Sequence, residues 1–152
     1  MSELTKPKRR KACERKAEWS SSTPPIAKTK REVITRPADV FAKLRDLAGE
    51  QEDFYVILLD IKNQLIGTEH VGRGSPFSVE VHPREIFKAA IRSNAVGIIL
   101  AHNHPSGDVT PSPDDLTLTE RMRKVGDLVG IPVIDHIVFS SETFTSIAEY
   151  QP

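Results

Sequence analysis

The sequence predicts an α/β fold, one mixed central sheet with helices on both sides. Three observations carry that expectation. Residues 54–61 and 96–101 are almost wholly apolar, as strands covered on both faces are. Three other stretches, opening at Pro37, Pro83 and Pro113, carry apolar residues at helical spacing. The segments follow the order α-ββ-(β)-α-β-α-β-β, which packs as a sheet between helical layers.

The first helix opens at Arg36-Pro37-Ala38-Asp39. Its stripe is Val40, Phe41, Leu44, Leu47 and Ala48, and Gly49 stops it. Residues 54–61 then read as a buried strand, Lys62-Asn63 as a turn and 64–71 as the returning strand of a hairpin. A loop over 72–76 leads to a short strand over 77–81. Pro83 suits the first position of the second helix, whose buried stripe is Ile86, Phe87, Ala90 and Ile91. Ser93-Asn94 ends it, because Asn tolerates the left-handed cap conformation. The strand over 96–101 delivers His102 at its C-terminal end, where α/β folds commonly place sites.

The third helix runs from Pro113 to about Val129, with Leu116, Thr119, Met122, Val125 and Val129 on one side. Gly130 caps it and Pro132 prevents its continuation. Residues 133–139 form a strand, 140–143 a turn and 144–147 a last short strand. The chain shows no internal repeats.

With 152 residues the chain fits one domain with a single core. No apolar run approaches a membrane span, and the first residues lack the apolar stretch of a signal peptide. The lone Cys13 cannot form an internal disulfide, so a reducing cytoplasm is the expected setting. The net charge of zero divides unevenly. Residues 1–31 hold ten Lys/Arg against three Glu, or +7, and residues 32–152 hold eleven Lys/Arg against eighteen Asp/Glu, or −7. The expected organisation is a disordered basic tail over 1–31 and a folded domain over 32–152. Such a tail suits weak contact with nucleic acid, or serves only as a solubilising leader.

The chemistry concentrates in His102-Asn103-His104-Pro105-Ser106-Gly107-Asp108, followed by Ser112-Pro113-Asp114-Asp115. Residues two apart in an extended segment face the same way, so both imidazoles can reach one point. Ser112 is a good N-cap and Pro113 a good first helical residue, which makes Asp115 the third. A carboxylate there is favoured by the helix dipole. Two neutral imidazoles and a carboxylate, with room for a fourth ligand, match a catalytic zinc. The plain alternative is a polar loop followed by a helix-start acid. His70 and His82 read as surface and cap residues. Asp135-His136 reads as a solvated strand edge, although one of the pair could orient a metal-bound imidazole.

The spacing of His102, His104, Ser112 and Asp115 resembles the JAMM (MPN-plus) zinc-hydrolase signature. Pro83-Arg84-Glu85-Ile86, the HNHPSGD stretch and the Pro-Ser-Pro-Asp-Asp helix start resemble the JAMM domain of the RadC family more closely, over about residues 32–150. Val109 stands where that family often has Pro. The helix-hairpin-helix domain usual in RadC proteins does not fit in this length.

The resemblance implies a cytidine-deaminase-like architecture and Zn2+ held by His102, His104 and Asp115 with a water. It implies a general base just before the first long strand, with Glu52 favoured over Glu50, and Glu69 and Glu80 as poorer candidates. Ser112 would then cap the helix and donate to an oxyanion, or only cap it. Deamination itself is excluded, since it uses two close cysteine ligands and this chain has one Cys. An HNH nuclease spreads its residues through a hairpin and helix, unlike the consecutive His-Asn-His here.

The leading expectation is a zinc-dependent JAMM-type hydrolase, a metallopeptidase or isopeptidase acting on a peptide or protein substrate. The alternative is a nucleic-acid-associated repair or recombination accessory protein whose metal site does not cut peptides. The acidic body disfavours phosphate binding, and the basic tail permits it. Substrate and oligomeric state are not written in the sequence.

Overall fold

The computed structural model describes residues 31–74 and 81–151. The tail expected over 1–31 lies outside them except for Arg31, as does the strand expected over 77–81 except for Val81. Five strands form one sheet in the order β2-β1-β3-β4-β5: β1 (Asp53–Leu59), β2 (Leu65–Arg73), β3 (Gly97–Asn103), β4 (Val133–Phe139) and β5 (Phe144–Ser146). β3 is antiparallel to β1 and parallel to β4, so the sheet is mixed. The helices are α1 (Pro37–Leu44), continued by a 3-10 turn (Arg45–Leu47), α2 (Pro83–Arg92) and α3 (Pro113–Val129). Among the described residues, no helix is long and apolar enough to cross a membrane.

The α/β expectation holds, with helices on both faces. Phe54, Val56, Leu58, Ile98 and Leu100 turn one face of the sheet toward Ile86 and Phe87 of α2 and Met122 of α3. Tyr55, Ile57, Leu59, Ile99 and Ile137 turn the other toward Val40 and Leu44 of α1. Every residue of β1 and of β3 is buried, which is why both read as near-continuous apolar runs. The caps follow local chemistry. Asn94 takes φ 51° after α2, and Gly130 takes φ 76° after α3.

Some details differ from the sequence reading. β1 stops at Leu59 because the Asp60 carboxylate accepts the amides of Lys62 and Gln64 and folds the turn, leaving Ile61 82% exposed. β2 continues to Arg73, whose guanidinium pairs with Asp53 across the strands at 2.7 Å. Leu47, Ile91, Leu116 and Val129 are exposed, not buried. The inner face of α3 is Asp115, Thr119, Met122 and Gly126, so two polar residues occupy a stripe where hydrophobic periodicity looks for apolar ones.

β4 also carries a register irregularity. Ile98 pairs with Val133 and Ile99 with Asp135, so Ile134 is skipped. A single skipped residue exchanges the faces of everything after it. His136 is thereby turned to the side of the sheet that holds His102 and α3.

Candidate metal centre

Glu52, His102, His104 and Asp115 each offer a ligand atom, and these atoms lie within 4.8 Å of one another. The loop before β1 supplies Glu52, the end of β3 supplies the histidines, and the first turn of α3 supplies Asp115. His102 Nε2 lies 3.0 Å from His104 Nε2, 3.2 Å from Asp115 Oδ1 and 4.0 Å from Glu52 Oε1. His104 Nε2 lies 3.6 Å from Asp115 Oδ2. Tetrahedral ligands bonded at about 2.0–2.2 Å stand roughly 3.3–3.6 Å apart, and these spacings bracket that range.

Hydrogen bonds behind these side chains hold them in place. His104 Nδ1 donates to the Asp108 carbonyl at 2.7 Å. A carbonyl only accepts, so in neutral His104 the hydrogen sits on Nδ1 and Nε2 is bare toward the centre. Ser112 caps α3 by accepting the Asp115 amide at 3.2 Å, and its hydroxyl donates to Asp115 Oδ2 at 2.7 Å. The Ser112 amide donates to the same oxygen at 2.7 Å, which completes a capping box with Asp115 as its third residue.

Glu52 is fixed through its backbone. Its carbonyl accepts from Gly74 N at 2.8 Å. On either side of it, Asn103 donates to the Gln51 carbonyl at 2.9 Å and accepts the Asp53 amide at 2.8 Å. Glu50 is exposed and stands outside the four-residue cluster. Glu69 is exposed on β2, also outside it, and Glu80 lies outside the described residues.

Charge and burial reinforce the arrangement. Burial pushes the Asp115 carboxyl up, but the neighbouring His102 and His104 rings and the Ser112 hydroxyl outweigh it and hold the group below the ordinary carboxylate range. The Asp115 carboxylate raises His104 above the usual imidazole value, against partial burial. Two imidazole nitrogens and two carboxylates aimed at one point form a donor set that suits a cation. The residues therefore fit a divalent metal.

His136 and Asp135 are where the sequence reading goes astray. Neither is a solvated edge: they are 0% and 6% exposed. Asp135 accepts from Ser146 Oγ at 2.7 Å and from Ala148 N at 3.0 Å, tying β4 to the chain around β5. His136 Nε2 lies 2.8 Å from His102 Nδ1. Burial holds its imidazole well below the ordinary histidine value and so favours the neutral form. His70 bonds Asp53 at 2.7 Å on the other face of the sheet, and His82 caps α2.

A groove of about 300 Å³ runs past His104, between Gly49-Glu50, Pro105 and Ser140-Ser141. A separate cavity of about 260 Å³ between β2 and α2 contains none of the four ligand candidates.

Comparison with known proteins agrees with this geometry. Residues 34–151 match the RadC-like JAB domain. The chain is 47% identical over 120 residues to a UPF0758 protein of Staphylococcus haemolyticus, covering 76% of this chain and 52% of that one. It is 42% identical over 139 residues to a UPF0758 protein of Desulforudis audaxviator, covering 91% and 56%. To the UPF0758 protein of Finegoldia magna it is 52% identical over 96 residues, covering 63% and 43%. The chain spans about half the length of these relatives.

Proposed function

The chain belongs to the RadC-like JAB domain family, and on that premise we propose that it is a zinc-dependent hydrolase of JAMM type that cuts a peptide or isopeptide amide. The observation that carries this reading is the convergence of Glu52, His102, His104 and Asp115 on one point beside an open groove. His102, His104 and Asp115 would hold the ion. Zinc bound there supplies Lewis acidity and brings the pKa of a water down to about 7.

The remaining work falls to the chain. Glu52 takes the proton of the attacking water and returns it to the departing amine. Its Oε1 stands 4.0 Å from His102 Nε2, the longest of the four spacings given above, which suits a group that meets a water and not the ion. The substrate lies in the groove along His104. Ser112 caps α3 and steadies Asp115, and a role at an oxyanion requires its hydroxyl to leave Asp115 Oδ2.

The test is zinc analysis of the purified chain and its His104→Ala variant, beside cleavage of peptide and isopeptide libraries. The expected result is one zinc per chain, lost in the variant, and cleavage abolished by a chelator and restored by zinc. Full zinc in His104→Ala would sink the ligand assignment. The accessory-protein alternative rests on the basic residues 1–31. It is favoured if the zinc-loaded chain cuts nothing and binds DNA in a salt-dependent way that disappears when 1–31 are removed.

A further inference from the structure

His102 is 1% exposed, and behind it stands another imidazole. His102 Nδ1 lies 2.8 Å from His136 Nε2, and His136 Nδ1 lies 2.6 Å from Thr119 Oγ1. Thr119 Oγ1 in turn lies 2.6 Å from the backbone carbonyl of Asp115. His136 and Thr119 are 0% and 1% exposed, so the row is closed to solvent.

The direction of each hydrogen bond follows from its far end. A carbonyl only accepts, so the Thr119 hydroxyl hydrogen points to Asp115. The hydroxyl has no second hydrogen, so it accepts from His136 Nδ1–H. A neutral imidazole with its hydrogen on Nδ1 has a bare Nε2, which accepts from His102 Nδ1–H. His102 Nε2 is then bare as well, and it faces Glu52, His104 and Asp115. Reversing the row would put a hydrogen on His102 Nε2 and block it as a ligand.

We propose that His136 and Thr119 are positioning residues that fix the tautomer and ring orientation of His102 for metal binding. This rests on the metallohydrolase reading of the same centre. The row begins and ends on the ligand set: Asp115 gives its side chain to the centre and its backbone carbonyl to Thr119. Unlike a carboxylate behind a ligating histidine, this relay carries no charge. Among the described residues, the negative charge facing the ion comes from Asp115 and Glu52.

The experiment uses the full chain loaded with Zn2+. Nitrogen NMR of the histidine rings in the wild type is expected to show His136 with its hydrogen on Nδ1 and a bare Nε2. A hydrogen on His136 Nε2 would overturn the proposal. Zinc affinity is then measured by chelator competition for Thr119→Val, which keeps the shape and removes the hydroxyl, and for Thr119→Ser, which keeps the hydroxyl. Losing such a supporting group typically weakens metal binding about 10–100-fold. That loss is expected for Thr119→Val, with Thr119→Ser close to the wild type. Equal affinity in all three, or an equal loss in both variants, overturns the relay while leaving the zinc reading intact. A wild-type chain that takes up no zinc sinks both.

Discussion

The side-chain oxygen of Asn103 accepts the backbone N–H of Asp53 at 2.8 Å. The same side chain donates to the carbonyls of Gly49 and Gln51 at 3.3 and 2.9 Å. The residue between the two histidines therefore holds the loop that carries Glu52. Asn103→Ala leaves an N–H and two carbonyls without this partner, at about 1–3 kcal/mol for each group that stays buried and unpaired. A lower urea midpoint is expected, with zinc content retained. Asn103→Asp keeps the acceptor but turns an oxygen toward both carbonyls, and it should be no more stable than Asn103→Ala.

Glu52→Gln preserves shape and removes the proton acceptor. Zinc content should stay at the wild-type level while turnover falls about 10²–10⁴-fold, the usual loss for a general base. Glu69→Gln is the control and should leave turnover almost unchanged, because Glu69 is exposed on β2, outside both the cluster and the groove. Loss of zinc in Glu52→Gln would instead make Glu52 a ligand.

Ser112→Ala removes the acceptor for the Asp115 amide and the hydroxyl donated to Asp115 Oδ2. The lost cap should cost about 1 kcal/mol in thermal or urea unfolding. Zinc should also bind more weakly, since Asp115 loses one of the contacts that orient it. Ser112→Thr keeps both functions and should lie near the wild type. Unchanged stability in Ser112→Ala would show that the cap is dispensable.

Gly126 sits where α3 meets the chain entering β4. A Cβ there would stand 2.6 Å from the Ile131 carbonyl oxygen and 3.4 Å from Val133 N. Alanine is the better helix former by about 1 kcal/mol, but overpacking typically costs 1–3 kcal/mol. The obstructing atom is backbone and cannot swing aside, so the clash should win. Gly126→Ala is expected to lower the melting temperature, and a rise would refute the close approach.

At α1, Asp39 accepts from Thr35 N, Thr35 Oγ1 and Arg36 N at 2.9, 2.8 and 2.9 Å. These bonds, the Thr35 amide first, bring its pKa down from 3.8 to about 2. A depressed carboxylate stabilises the fold fully above its unfolded value and loses that contribution as pH falls through the folded one. The contribution should therefore fade between about pH 4 and pH 2, and Asp39→Asn should flatten that part of the stability curve. Carboxyl NMR showing Asp39 titrating near 3.8 would contradict the hydrogen-bond assignment.

Much of this was legible because it is local. β1 and β3 announce themselves by unbroken apolar letters, and Ser112-Pro113 by cap chemistry. The spacing of His102 and His104 already implies a shared face. His136 was legible only as the second of two readings, for a nonlocal reason. Counting alternate residues from Val133 puts His136 on the wrong face, and only the skipped Ile134 corrects the count. The spacing does put its partner Thr119 on the inner side of the third helix, but it says nothing about what the hydroxyl meets there. Ile91 and Val129 err the other way: they keep the helical period, yet the structure leaves both exposed.

The two histidines are neighbours by covalent connection, whereas Glu52 and Asp115 reach them only through the fold. When the chain unfolds, the carboxylates disperse but the imidazoles stay two residues apart. If the proposed zinc site is right, the denatured ensemble would keep a weak two-point grip on the ion. Binding to the unfolded chain subtracts from the stabilisation a ligand gives the native one. Added zinc should therefore raise the melting temperature by less than the native-state affinity alone implies.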